Sequence, residues 1–185
     1  MSAADGRLTG MWENDQELDE LQALLDRSFA KSSEHLRSIM EPQRRLDARR
    51  LSAELPSPAV LNIATVTAKG EPRISAVDGH FLHGRWHWTT DATSPKITHL
   101  RARPAISASY TPKDGHGVFV HGTAVLLEGE QRRMLHDHFV ATYGADPDEW
   151  GEIAYMRIDP HWMTAFAMTE EEFAQIEADK KARET

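Results

Sequence analysis

The sequence predicts a mainly β protein with flanking helices: an antiparallel barrel of about six to seven strands behind an N-terminal helical segment. Three observations carry this. The apolar pattern changes from helical spacing to strand texture at Val60. The strands that follow are joined by short turns, which suits antiparallel pairing. Only two helical stretches interrupt them before Met168, too few for a chain of strand-helix-strand units.

Each element has its own signal. Leu18, Leu21, Leu25, Phe29, Leu36, Ile39 and Met40 recur at helical spacing, so one helix is expected from Asn14 to about Met40. Asn14 or Asp15 supplies its N-cap. Pro42 interrupts it, a shorter helix runs to Glu54, and Pro56 and Pro58 mark a linker. Residues 60–67, 73–82 and 85–90 form a three-stranded meander with turns at Lys69-Gly70 and His83-Gly84. Ser94-Pro95 opens a helix that ends near Arg103-Pro104. Residues 105–111 and 118–127 are the next two strands. A helix over 130–143 follows, with Met134, Leu135, Phe139 and Val140 on its apolar side. Residues 153–158 and 162–168 form two last strands divided by Asp159-Pro160. Thr169-Glu170-Glu171-Glu172 is a capping box, and the charged helix it opens frays over 180–185. The expected organisation is a helical segment over 1–56, a barrel over 57–168 and a C-terminal helix over 169–185.

Composition narrows the function. The chain has 185 residues, 40% hydrophobic and 27% charged, as in an ordinary soluble domain. It holds no cysteine, which removes disulfides, Cys-based zinc sites and thiol catalysis. A net charge of -8 argues against a general nucleic-acid or membrane binder. Arg44, Arg45, Arg49 and Arg50 form a local basic patch, expected to be a solvated helix face. No signal peptide or bilayer-spanning run stands out, so a cytoplasmic location is expected.

The densest chemistry lies where the third strand meets its helix. Thr89 and Thr90 end the strand, Ser94 caps the helix, Pro95 takes its first position and Lys96 its first turn. A helix N-terminus offers unpaired N–H groups and a partial positive charge. Hydroxyls and an ammonium added there make an anion site. Lys96 is unfavourable for the helix alone, because its charge adds to the dipole; a bound phosphate resolves that conflict. Arg73, with Ser75 on the same sheet face, is expected across the hairpin from Thr90 and within reach of the same anion.

Five segments in order carry a family resemblance: Ile63-Ala64-Thr65-Val66-Thr67, Gly70-Glu71-Pro72-Arg73, Thr90 with Ser94-Pro95-Lys96, Leu100-Arg101-Ala102-Arg103-Pro104, and Val120-His121-Gly122-Thr123-Ala124. From Val60 to Glu128 the chain resembles the pyridoxamine 5'-phosphate oxidase-like split barrels, a superfamily of flavin and deazaflavin oxidoreductases. The resemblance implies that Arg73, Thr90, Ser94 and Lys96 hold a cofactor phosphate. It also implies that Ser75, Ala76 and Val77 line the ring, and that the protein is a homodimer with the cofactor at the interface. Tyr110 and Val118 of the partner subunit would then complete the pocket. The expected cofactor is FMN, with coenzyme F420 as the alternative and haem third. The expected function is an oxidoreductase acting on a small organic substrate; a non-catalytic flavin, deazaflavin or haem carrier is the alternative. Asp78 replaces the lysine that grips substrate phosphate in true pyridoxamine phosphate oxidases. Ala165-Phe166-Ala167-Met168 replaces their C-terminal signature, so vitamin B6 phosphates are not the expected substrate.

Among the other candidates, no metal site is expected. His136 and His138 are two apart on a helix, and His80, His83 and His87 straddle a hairpin without a third ligand at zinc spacing. Asp78 and His80 share a strand face and could pass a proton, although a structural pair is the blander account. Trp86 and Trp88 share a face expected to be core or dimer interface. No catalytic residue is assigned.

Overall fold

The computed structural model describes residues 12–183. Expectations about the first residues and the end of the C-terminal tail lie outside them. The elements in order are α1 (Asp15–Ala30), α2 (Glu34–Ile39), α3 (Ala48–Glu54), β1 (Ala59–Val66), β2 (Pro72–Leu82), β3 (Arg85–Asp91), α4 (Pro95–Ala102), β4 (Ala105–Tyr110), β5 (His116–Leu126), α5 (Gly129–Tyr143), β6 (Ile153–Ala167) and α6 (Glu170–Arg183). Six antiparallel strands close a barrel in the order β1-β2-β3-β6-β5-β4. No helix among the described residues is long and apolar enough to cross a membrane.

The N-terminal helix is shorter than the apolar spacing suggests. α1 starts on the Asn14–Glu17 capping box and buries Leu18, Leu21, Leu24 and Leu25. It stops at Ala30, and Ser33 begins a second helix by accepting from the Leu36 N–H at 3.1 Å. A serine hydroxyl that caps a new helix competes with continuing the old one. α1 lies on β6, where Ser28 Oγ accepts from the Met163 N–H at 3.0 Å. The helical segment therefore seals one wall of the barrel.

Turn chemistry follows the sequence closely. His83 and Gly84 both have positive φ, 53° and 70°, the geometry of a two-residue hairpin whose twist matches its strands. Thr169 and Glu172 exchange the two hydrogen bonds of the capping box ahead of α6. Trp86 and Trp88 fill the barrel interior, each 1% exposed. A second apolar cluster lies outside the barrel, where α5 covers Leu82, Leu127 and Tyr155 with Leu135 and Phe139. Met134 does not belong to it; it is 60% exposed.

The two expected last strands are one. β6 runs through Asp159-Pro160 because a bulge absorbs the break: His121 pairs with Trp162 but Gly122 pairs with Pro160, so His161 is the extra residue. Gly122 permits this. A Cβ there would stand 2.4 Å from the Asp159 carbonyl oxygen. Gly122→Ala should therefore destabilise the protein by ~1–3 kcal/mol through forced backbone shifts. An unchanged denaturation midpoint would show that the bulge tolerates a side chain.

Candidate cofactor site

α4 begins where β3 ends, and its first turn is arranged as expected with one difference. Lys96 Nζ donates to Thr90 Oγ1 at 3.1 Å. Ser94 caps through its backbone, its carbonyl accepting from the Ile97 N–H at 3.0 Å. Its side chain makes no capping hydrogen bond. The Ser94 hydroxyl is instead buried without any partner. A buried unsatisfied hydroxyl costs about 1–3 kcal/mol. An ammonium and an unpartnered hydroxyl thus stand at the start of α4, although Pro95 has no N–H and the Ile97 N–H is taken by the Ser94 carbonyl. Asp91 lies beside them; Thr93 holds its carboxyl below the usual range by hydrogen bonding, helped by the Lys96 charge.

Arg73 is not delivered to this point by strand pairing. The β2–β3 ladder covers only His80 to Leu82 against Arg85 to His87. Beyond it β3 pairs with β6. Gly79 marks the parting, packed so closely that a Cβ would stand 2.7 Å from that of Leu61. Among the described residues, no strand pairs with the other edge of 72–79. This open seam is the split in the barrel. Arg73, Ser75 and Val77 lie opposite Thr65, Ile63 and Leu61, and Ala76 takes the outer face. The Arg73 guanidinium holds Glu71 at 2.8 Å and the Pro72 carbonyl at 3.1 Å. Thr65, its neighbour on β1, hydrogen bonds His99 at 3.0 Å, one turn beyond Lys96. Arg73 therefore stands one strand away from α4.

Of the other site candidates, Pro95 occupies the first position of α4. Thr89 points to the opposite face from Thr90. Tyr110 and Val118 pair across β4 and β5. Val118 is buried in this chain's own core, against which Tyr110 packs.

A second cluster links the open strand to α5. Tyr143 donates its hydroxyl to Asp78 Oδ2 at 3.3 Å and contacts His80 Nε2 at 2.9 Å. His80 Nδ1 meets His138 Nε2 and Ser57 Oγ, each at 3.0 Å. The carboxylate only accepts, so it fixes every donor behind it. Tyr143 donates to Asp78, His80 Nε2 donates to Tyr143, and His138 Nε2 donates to His80 Nδ1. The Asp78–His80 relation expected from strand parity is thus mediated by a tyrosine. Nothing in the sequence spacing announced Tyr143, which is 65 residues from Asp78.

Burial gives these imidazoles a pH signature. His80 and His87 are pushed down to about 3, mainly by burial; His138 adds to the effect on His80, and nearby arginines to that on His87. An unfolded histidine takes up its proton near pH 6.5. Their contribution is therefore complete above that pH and is lost as pH falls toward the folded value. The slope approaches about 1.4 kcal/mol per pH unit for each histidine. Denaturant titrations below neutral pH should show stability falling; a flat profile would contradict neutral burial. His136 acts oppositely, since Asp137 and then Asp146 raise it, so its part is complete below pH 6.5 and is lost as pH rises through its higher folded value. Its partner carboxylates lie toward solvent, which screens the pair, so it contributes less.

His136, Asp146 and Asp148 place one ligand atom each within 4.8 Å of one another, a grouping the sequence did not suggest. Arg132 grips Asp148 with two hydrogen bonds and Tyr155 adds a third at 2.9 Å. The carboxylate is engaged within the protein. The basic patch is engaged too: Arg44 holds Glu172, Arg45 Asp26, Arg49 Asp15 and Arg50 Glu54.

A family model described as pyridoxamine 5'-phosphate oxidase matches residues 48–178, spanning the barrel, the open seam and the Thr90–Lys96 cradle. The chain belongs to the pyridoxamine 5'-phosphate oxidase family. No curated protein matches it. Its fold is that of the family's split barrel in several solved structures. One is a conserved hypothetical protein, Rv2991, of Mycobacterium tuberculosis, with a TM-score of 0.57 and 18% identity over 69% of this chain and 88% of that one. Another is an FAD-binding protein of Mesorhizobium loti, with a TM-score of 0.54 and 19% identity over 66% and 94%. A third is HutZ, a haem storage protein of Vibrio cholerae, with a TM-score of 0.53 and 15% identity over 59% and 87%. The matched segment includes the site residues from Arg73 to Val118.

Proposed function

We propose that the protein is a split-barrel oxidoreductase that binds flavin mononucleotide and acts on a small organic substrate. One observation carries the reading: the buried, partnerless Ser94 hydroxyl beside the Lys96–Thr90 contact at the start of α4. These groups fit a phosphate, which accepts from all of them and offsets the Lys96 charge at the helix start. Arg73 would join by exchanging Glu71 for the phosphate. The free edge over Ser75, Ala76 and Val77 offers main-chain N–H and C=O groups, the complement of a flavin's pyrimidine edge. Bound flavin supplies hydride and single-electron transfer. The chain's own part is to hold the phosphate, orient the ring and exclude water.

Two further expectations belong to the same proposal. Val60 and Ile74, 63% and 75% exposed, give the outer face of β1 and β2 an apolar surface suited to a second copy of the chain. A homodimer would place the seam at its interface and suits a cytoplasmic enzyme. Coenzyme F420 is the weaker alternative: its acidic tail needs open cations, Arg44, Arg45, Arg49 and Arg50 are paired and Arg103 donates to the Val66 carbonyl, which leaves the exposed Arg101 as a candidate. The second reading is a carrier, supported by the likeness to a haem storage protein.

The deciding experiment is an absorbance spectrum of the purified protein with titrations of FMN, F420 and haem. FMN should saturate at micromolar concentration and be reducible by a donor. A haem Soret band without flavin binding would favour the carrier. Binding of none of the three would refute the proposal.

A further inference from the structure

On the outer face of the barrel, α1, the β2–β3 turn and α5 enclose a cavity of about 430 Å³. It is separate from the seam, because Arg85 and His87 point outward from β3 whereas Thr90 lies on the other face. That volume falls within the range of small-molecule pockets. Leu82, Leu127 and Leu135 form its apolar wall, and Met134 and Trp12, 60% and 40% exposed, stand at its edge. Two large apolar side chains exposed beside one cavity mark a contact surface.

The charged groups are divided between two walls. Arg85 and Arg157 stand on the strands, Glu17 and Glu20 on α1. Most are already engaged. Asp159 binds Arg157 through Nε at 2.6 Å and Nη2 at 3.1 Å. Glu17 accepts from the Asn14 N–H and contacts His83. Arg85 makes one hydrogen bond among the described residues, Nη1 to Asp159 at 3.3 Å, its charge also acts on Glu17 across the cavity, and its Nε and Nη2 donate to no described residue. Glu20 makes one, Oε1 accepting from Gln16 at 3.0 Å. His87 lines the same cavity. Its Nδ1–H donates to the Arg85 carbonyl at 3.1 Å, which leaves Nε2 as an uncharged acceptor. One open guanidinium edge, one open carboxylate oxygen, one acceptor nitrogen and an apolar wall describe a zwitterion with an apolar side chain.

We propose that this cavity binds an apolar α-amino acid. Its carboxylate meets Arg85, its ammonium meets Glu20 and His87 Nε2, and its side chain lies against Leu82, Leu127 and Leu135. A ligand with one charge would answer only one of the two walls, whereas a zwitterion meets the Arg85 guanidinium and the Glu20 carboxylate together.

The test is a calorimetric titration of the whole protein with L-phenylalanine, hydrocinnamate and phenethylamine, the last two each lacking one charge. Phenylalanine should saturate at or below about millimolar concentration, and each half-molecule should bind at least about tenfold more weakly. Arg85→Gln and Glu20→Gln, both at exposed or partly exposed positions, should each weaken phenylalanine about tenfold or more. Met134→Trp should obstruct the cavity and abolish binding. FMN affinity should be the same in all three variants, which separates this site from the proposed cofactor site. Failure of phenylalanine to saturate, equal binding of a half-molecule, or indifference to Arg85→Gln and Glu20→Gln would each overturn the proposal.

Discussion

Phe139→Ala should lower the unfolding free energy by ~3–5 kcal/mol, the largest effect expected of a single truncation in this protein. Phe139 is 1% exposed at the centre of the cluster between α5 and the barrel. Its ring lies 4.4 Å from that of His80 and 5.6 Å from that of Tyr143, centroid to centroid. Removing it opens a void against the hydrogen-bonded chain from Asp78 to His138. Water entering that void would relieve the burial that holds His80 neutral. The variant should therefore lose stability at neutral pH and also show a shallower acid dependence. Phe139→Leu should cost much less, since most of the volume remains. A loss below about 1 kcal/mol for the alanine variant, measured by urea unfolding, would mean that α5 is held by something other than this cluster.

Lys96→Ala should weaken FMN binding by ~1.5–3 kcal/mol, roughly tenfold to a hundredfold in Kd. Lys96 donates to the neutral hydroxyl of Thr90, and its charge also acts on the nearby Asp91 carboxylate. Ser94→Ala provides the sharper comparison. Its hydroxyl has no partner to lose, so the unliganded protein should be as stable as before, or more so. Binding should still weaken. Paired titration and thermal unfolding of the two variants give both quantities. Unchanged FMN affinity in both would place the phosphate elsewhere.

Most of the fold was legible because local signals and the global arrangement agree. The Asn14–Glu17 and Thr169–Glu172 boxes, the His83-Gly84 turn and the alternating strands each act within a few residues. Errors came where a distant partner decides. Asp159-Pro160 breaks a strand on local grounds, yet Gly122, far away in the chain, accepts the bulge that keeps β6 whole. Ser32-Ser33 ended α1 early against a persistent apolar rhythm. In the site, the Thr90–Lys96 segment was legible because it is contiguous. The distance between Arg73 and Thr90 was not, because strand parity gives a face but not where a ladder stops. The Asp78–Tyr143–His80–His138 chain, joining a strand to a helix 58 to 65 residues away, left no trace in spacing.

The single long β6 also sets a timetable for folding. β6 pairs with β3 on one side and β5 on the other, and α1 rests on it. During synthesis, β1, β2 and β3 can form a meander, β4 and β5 a hairpin, and the two can join through the β1–β4 ladder, but the barrel cannot close between β3 and β5 until residue 167 has been made. At about 5–20 residues per second, β3 and β5 keep unpaired edges for several seconds. The amphipathic first helix waits longer still for its wall. The last strand is thus the keystone of the barrel, and a nascent chain stalled before it is an open sheet with edges available to other chains.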